Sequence, residues 1–269
     1  MKPLSLNTVT VREKWSLAEC IEGCARHGIP GISPWRDVLG AMGVHAAARQ
    51  IRDAGLTVTG LCRGGMFPAA DAAGRNAAIE ENRRAIEEAH KLQARSLVMV
   101  CGGLPAGSKD LEGARQMVRD GLETVLPEAR AAGVTLGLEP LHPMTCADRS
   151  VLSTLGQALN LCTALGDGVG VVLDVYHVWW DPELSRQMER AAGKIVGFHI
   201  CDWLVPTTDL VFDRGMPGDG VIDISGISQM VDATGYAGFV EVELLSRRWW
   251  AEEPDEVLRI VKERHARVV

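Results

Sequence analysis

The chain is predicted to fold as a single (β/α)8 TIM barrel over residues 1–269. Three observations carry that expectation. Short apolar, β-branched runs alternate with amphipathic helical stretches eight times along the chain. No composition break or linker divides it, and 269 residues is an ordinary length for one such barrel. A doubly wound open sheet would need only about five or six strands and would favour a glycine-rich phosphate loop after the first. This chain has Thr8-Val9-Thr10-Val11-Arg12 there.

The first apolar run is Pro3–Val9, and Ser16-Leu17-Ala18-Glu19 beyond it has the spacing of a capping box that opens a helix. The second and third runs are Gly31–Trp35 and Thr57–Cys62. Ala73–Leu92, with apolar residues three and four apart, predicts the helix leading to the fourth run, Ser96–Cys101. The fifth to eighth runs are Val134–Glu139, Gly170–Asp174, Ile195–Ile200 and Phe239–Leu244. Gly28, Gly55, Gly133, Gly193 and Gly235 fall where helices should end, in line with the glycine preference just past a helix C-terminus. Glu253-Pro254-Asp255-Glu256 puts proline and acids into the first turn of a last helix.

Composition narrows the class. Hydrophobic content of 46% with 23% charged residues is that of a globular protein, and a net charge of −7 argues against a phosphate-backbone binder. The seven cysteines are scattered without a C-x-x-C pair, and Cys20 and Cys24, four apart on a helix, are expected in the core. No charged-then-apolar leader opens the chain and no apolar run reaches membrane length. A cytoplasmic protein with reduced thiols is expected, acting on a small molecule and engaging neither nucleic acid nor membrane. A homo-oligomer, dimer or tetramer, stays open.

Barrel enzymes place their chemistry at the C-terminal ends of the strands. The first four runs finish with Asn7, Trp35, Arg63 and Cys101-Gly102-Gly103; the last four finish with Glu139, Asp174, His199 and Glu243. Three carboxylates converging without a cation would repel, and their pKa values would rise. A divalent metal held by Glu139, Asp174, His199 and Glu243 resolves the conflict. Oxygen-rich ligands with one imidazole suit Mn²⁺ first, with Mg²⁺, Co²⁺ or Zn²⁺ as alternatives.

Several stretches together resemble a known family. They are L-G-L-E-P around Glu139, D-V-Y-H at 174–177, G-F-H-I-C-D around His199, R-G-M-P-G-D-G at 214–220 and E-V-E-L-L-S at 241–246. In these the chain is similar, from end to end, to the sugar phosphate isomerase/epimerase group. That group belongs to the xylose-isomerase-like barrel superfamily, with ketose 3-epimerases, inosose isomerases and dehydratases, hydroxypyruvate isomerases and an apurinic endonuclease branch. The resemblance implies a metal-dependent isomerase or epimerase of a keto sugar or inosose that works through a metal-stabilised enediolate. It gives Glu139 and Glu243 the roles of paired acid/bases as well as metal ligands. Glu241 shares a barrel face with Glu243 by strand alternation, and the E-L-L-S after Glu243 matches the family pattern around its ligand.

The same resemblance makes His177 a substrate contact. Arg214 opens an R-x-x-P-G-x-G loop, and its fork suits sugar hydroxyls or a carboxylate; a pairing with Asp213 or Asp219 is its alternative. Arg63 either binds a substrate carboxylate or phosphate or neutralises the acidic cluster. His142 either contacts substrate or caps a loop, and Asp202 is expected as a loop partner. Two or three of Trp35, Phe67, Trp179, Trp180, Trp203, Trp249 and Trp250 are expected to line the pocket, and 203–221 is long enough for a lid.

A metal-dependent lyase or dehydratase acting on the same keto sugars or inososes is the main alternative, because it would pass through the same enediolate. An endonuclease would need extra histidines on early strands, whereas His27, His45, His90 and His265 fall on predicted helices. A sugar-binding barrel without catalysis would not need two placed glutamates.

Overall fold

The computed structural model describes residues 2–269. The first half of the chain runs β1 (Leu4–Asn7), α1 (Leu17–His27), β2 (Gly31–Ser33), α2 (Arg36–Met42), α3 (Val44–Asp53), β3 (Thr57–Val58), β4 (Leu61–Gly65), α4 (Ala72–Leu92), β5 (Leu97–Val100) and α5 (Leu111–Ala131). The second half runs β6 (Leu136–Leu138), α6 (Leu155–Leu165), β7 (Val169–Asp174), α7 (Val175–Val178), α8 (Leu184–Arg190) and β8 (Ile195–Ile200). It closes with β9 (Asp202–Trp203), β10 (Arg214–Gly215), α9 (Ile224–Ala233), β11 (Val240–Val242), α10 (Arg247–Trp250) and α11 (Pro254–Val268). The main sheet is parallel, in the order β3-β2-β1-β11-β8-β7-β6-β5-β4. Since β3 and β4 are two pieces of one segment, the sheet wraps into a barrel, and a bridge between Trp35 and Cys62 draws its two ends together.

The eight expected strand–helix units are all present, and the third strand differs from its expectation. Thr57–Cys62 was expected as one strand; the chain instead breaks at Thr59-Gly60 and resumes as β4 up to Gly65, with a register shift against β5 between Cys62 and Gly64. Packing explains the break. Gly64 and Gly65 lie so close to β5 that a Cβ on Gly65 would stand 2.0 Å from the Val100 carbonyl oxygen. The first strand also ends early, because the Asn7 side chain accepts from the Val9 amide and turns the chain into a short 3-10 helix, Thr8–Val11. Ser16 and Glu19 form the expected capping box, Cys20 and Cys24 are buried, and His27, His45, His90 and His265 lie on helices. No helix among the described residues is long and apolar enough to cross a membrane.

Strand alternation sorts the side chains. Val240, Val242, Phe198, Ile200, Leu136 and Leu138 belong to the apolar core, while Ser5, Asn7, Glu241, Glu243 and His199 are buried polar groups at the alternating positions. Glycines open space in the barrel interior: a Cβ on Gly137 would meet Val172 at 2.7 Å, and one on Gly170 would meet Val196 at 2.4 Å.

Asn82, buried on α4, clamps the end of the broken strand. Its Oδ1 accepts from the Gly65 amide and its Nδ2 donates to the Gly65 carbonyl, both at 2.7 Å. Asn82→Ala deprives two buried backbone groups of these partners, at roughly 1–3 kcal/mol each. Chemical denaturation should show a loss of about 3 kcal/mol; a loss below about 1 kcal/mol would mean the clamp is dispensable.

Candidate active site at the barrel mouth

The register that closes the barrel brings the strand-end residues together. Asp174 lies beside His199, and His199 beside Glu241, across β7, β8 and β11. Glu243 follows β11 directly, as Glu139 follows β6. All of these groups are buried. Ligand atoms of Glu139, His199 and Glu243 lie within 4.8 Å of one another. His199 Nδ1 is 3.4 Å from Glu139 Oε1 and 3.9 Å from Glu243 Oε2. Neither Glu139 Oε1 nor His199 Nδ1 has a hydrogen-bond partner, although both are fully buried. Buried polar atoms are rarely left so. Two carboxylates and an imidazole with ligand atoms this close have the donor set of a divalent-cation site, the imidazole giving up its Nδ1 proton when a cation binds.

Glu241 stands one layer below and is spent. Its Oε1 accepts from Asn7 Nδ2 at 2.7 Å and its Oε2 from Thr59 Oγ1 at 2.9 Å. It also faces His199 Nε2 at 3.5 Å, which leaves Nδ1 to the upper cluster. Asn7 reaches Glu243 Oε1 as well, at 3.1 Å, and its own carbonyl oxygen accepts from Trp35 Nε1. Strand position could not separate Glu241 from Glu243. Depth in the barrel does, since Glu243 lines the cavity at the mouth and Glu241 does not.

Asp174 faces a guanidinium. Arg214 Nη1 donates to Asp174 Oδ2 at 3.0 Å and to Glu243 Oε2 at 3.3 Å, and its charge lies 4.4 Å over the Tyr176 ring. Arg214 therefore pairs with neither Asp213, which accepts from Thr208, nor Asp219, which pairs with Arg264. Asp202 delivers it. This buried carboxylate accepts from the amides of Trp203, Gly218 and Ile222, and β9 pairs with β10 so that Trp203 lies opposite Arg214. A Cβ on Gly220 would stand 2.2 Å from the Trp203 carbonyl oxygen, so only glycine fits beneath the loop.

These contacts shape the titration. Burial pushes Asp174 up to about 6 despite Arg214, and burial also raises Glu139 and Glu243. Burial opposes a charge on His199, yet Glu241, Glu139 and Glu243 outweigh it and raise this imidazole to about 10. His177 goes the other way: burial, then Arg214, hold it well below the ordinary histidine range. Its Nδ1 accepts from the His142 amide at 3.1 Å, so its proton sits on Nε2, beside Arg214 and 3.6 Å from Asp174 Oδ2.

Above the cluster opens a cavity of about 400 Å³. Glu139, Glu243, His177, Arg214 and Arg63 line it, as expected residues, and so do Arg12 and Arg149, which the sequence reading did not single out. His142 does not. Its Nδ1 accepts from the Met144 amide and its ring packs against Trp180 and Trp203, which is the loop-capping role. The aromatic expectation needs correction too: of the seven named, Trp35 alone lines the cavity. Phe67 packs against Gly121, Trp179 and Trp203 pack together beside Tyr176, and Trp249 is buried in the core. Large aromatics at these strand ends brace loops.

The model of the xylose isomerase-like TIM barrel matches residues 21–264. An inosose isomerase of Halalkalibacterium halodurans is 29% identical over 52% of this chain and 50% of its own length. An L-ribulose 3-epimerase of Mesorhizobium japonicum is 32% identical over 46% of this chain and 39% of its own. A 3-dehydroshikimate dehydratase of Pseudomonas putida is 27% identical over 88% of this chain and 37% of its own. The chain thus spans about half the length, or less, of the curated relatives it matches. The crystal structure of protein SMc04130 from Sinorhizobium meliloti superimposes with a TM-score of 0.97 at 54% identity, covering 98% of both chains. IolI with a bound zinc atom shares the fold, with a TM-score of 0.87 at 24% identity over 100% of this chain and 98% of its own.

Replacing Arg214 by methionine leaves Asp174 and Glu243 buried without their shared counter-charge. Breaking a buried pair in this way typically costs about 3–5 kcal/mol. Chelator-treated Arg214→Met should lose that much unfolding free energy in chemical denaturation at neutral pH; an unchanged free energy would show that Arg214 does not stabilise the cluster.

Proposed function

The chain belongs to the xylose isomerase-like TIM barrel family, and on that premise we propose a divalent-metal-dependent isomerase or epimerase of a keto sugar or inosose. The observation that carries this reading is the pair of unpartnered buried atoms, Glu139 Oε1 and His199 Nδ1, beside Glu243 at the floor of the cavity. Glu139, His199 and Glu243, with Asp174 beside them, would hold Mn²⁺, or Mg²⁺, Co²⁺ or Zn²⁺. When bound, the cation would stabilise charge developing on a ketone oxygen and its neighbouring hydroxyl.

The rest of the reaction falls to the chain. Glu139 and Glu243 reach the cavity from β6 and β11, and their raised pKa values suit carboxylates that take up and return a proton on carbon. One removes the proton and the other returns it to the opposite face. Neutral His177 offers its Nε2 proton to a substrate oxygen, and Arg214 keeps Asp174 ionised beside it. Glu241 orients His199 from beneath and stays out of the proton transfer. The seven cysteines are all free, six of them buried, which supports a reducing, cytoplasmic setting.

Dehydration is the second reading, supported by the match to the 3-dehydroshikimate dehydratase along most of this chain. It uses the same base and differs in expelling a β-hydroxyl as water. Product analysis separates the two, since a dehydratase gives a new C=C chromophore and an epimerase does not.

Catalysis in D₂O tests the two-glutamate scheme. With Mn²⁺ and a panel of ketoses and inososes, product should carry solvent deuterium on the reacting carbon, and Glu139→Gln and Glu243→Gln should each lower kcat by about 10²–10⁴-fold. Deuterium-free product after many turnovers would overturn the scheme. Asp174→Asn, purified without chelator, should hold less metal than the parent; equal content would remove Asp174 from the site.

Glu241 is tested on binding alone. Glu241→Ala should weaken Mn²⁺ or Zn²⁺ binding about 10–100-fold in calorimetry, the usual effect of losing a carboxylate behind a metal-bound histidine. Glu241→Gln keeps an acceptor for Nε2–H and should lose less; equal losses in the two variants would deny the orienting role.

A further inference from the structure

The barrel mouth is charged unevenly. Glu139, Asp174 and Glu243 occupy the sector above β6, β7 and β11. Over β4 and β5 the same cavity is lined by two arginines. Arg63 lies within β4. Arg149 belongs to the loop after β6, and that loop folds back over β5: the Gly102 amide donates to the Arg149 carbonyl at 3.0 Å, and Gly102 bridges to Ser150. The two arginines therefore border one cavity from over adjacent strands.

Both side chains are half-buried, and both lack a carboxylate or other hydrogen-bond acceptor among the described residues. The other arginines of the cavity are committed: Arg12 to Asp37 at 2.6 Å, and Arg214 to Asp174 and Glu243. Even Asp148, next in the chain to Arg149 and exposed, forms no ion pair with it. An arginine stays charged in any protein environment, and its planar fork matches carboxylate and phosphate oxygens. Two such forks, half-exposed and unpaired on one cavity wall, offer their donors to an anion that enters it.

We propose that Arg63 and Arg149 form an anion subsite, and that the substrate is a keto compound carrying a carboxylate or phosphate away from its reacting carbon. For the reacting end this rests on the isomerase reading above. The subsite itself stands on the two arginines. The cavity then receives a two-ended molecule, with its hydroxy-ketone over the carboxylate floor and its anion against the β4–β5 rim. A volume of about 400 Å³ is at the small end of ligand pockets, as a single small ring or short chain with one anionic group requires.

Two measurements test this. Chelator-treated protein is titrated calorimetrically with inorganic phosphate and, separately, malonate. Arg63→Ala and Arg149→Ala should each weaken anion binding roughly 10-fold or more, the usual loss for a charge-assisted hydrogen bond. Arg63→Lys and Arg149→Lys should recover part of it, and Arg52→Ala, on an exposed helical turn, serves as the control. Equal binding in parent, arginine variants and control would overturn the subsite.

The second measurement compares kcat/KM for an inosose, a ketose 6-phosphate and 3-dehydroshikimate with Mn²⁺ present. Preference for the phosphate or for the carboxylate identifies the anion, and the alanine variants should lower the anionic-to-neutral ratio about 10-fold through KM. Preference for the neutral inosose, with the ratio unmoved in the variants, would sink the subsite and leave the isomerase reading standing. Anion binding that needs both arginines, with no ketone in the panel turned over, would support the subsite and count against the isomerase reading.

Discussion

Four carboxylates, Glu139, Asp174, Glu241 and Glu243, are buried at one end of a barrel whose walls are otherwise largely apolar. Withdrawing each from water costs several kcal/mol, and their mutual repulsion adds to it. The neighbouring polar groups answer that cost. Asn7 divides its two amide protons between Glu241 and Glu243, Thr59 donates to Glu241, and Arg214 bridges Asp174 and Glu243. One guanidinium and one imidazole raised to about 10 leave two negative charges if all four acids are ionised. Burial first, and their mutual repulsion after it, raise Glu139, Asp174 and Glu243, and a divalent cation would offset both.

The dependence extends to the loops. Arg214 is 40 residues from Asp174 in sequence and reaches it because Asp202 gathers the amides of Trp203, Gly218 and Ile222 from both sides of Arg214. Tyr176, stacked on Trp203, supplies the aromatic face beneath the guanidinium. His142 wedges between Trp180 and Trp203 while its own amide fixes the tautomer of His177. The aromatic belt thus gives rigidity to charged groups that would otherwise sit on mobile loops. Precise placement is what a site of buried charges requires, since a misplaced partner leaves a charge unpaired.

Much of this was legible in the sequence. The strand ends could be found because apolar runs stop abruptly at Glu139 and Asp174, and period-two alternation puts His199 and Glu243 on the interior side. The helix starts at Ser16 and Pro254 were legible because first-turn signals are local chemistry. The break in the third strand was not, because it depends on how closely Gly64 and Gly65 approach β5 and on Asn82, which lies on the next helix. Arg214 was found by its motif, but its partners were not, because the loop path that sets them is fixed by Asp202. Arg149 carried no signal at all. It sits in an irregular segment without periodicity, and only the fold of that segment over β5 places it on the cavity.

Arg214 occupies an unusual position with respect to any cation. Its Nη1 contacts one oxygen each of Asp174 and Glu243, two of the four residues that strand position nominates as ligands. The guanidinium therefore already supplies part of the positive charge a metal would bring, and it keeps the cluster together without one. The consequence is a compromise in affinity. Carboxylates without a partner would attract a cation more strongly, but a barrel holding them so would be far less stable. Were these two residues ligands, sharing them with Arg214 would lower the gain on metal binding and hold their geometry beforehand, so that little reorganisation would be left to offset. Glu139 Oε1 and His199 Nδ1 make no hydrogen bond to Arg214 and face each other at 3.4 Å, the imidazole proton standing where a cation would. The cluster is thus divided between carboxylates held by an internal cation, Asp174 and Glu243, and a Glu139–His199 pair that Arg214 does not touch.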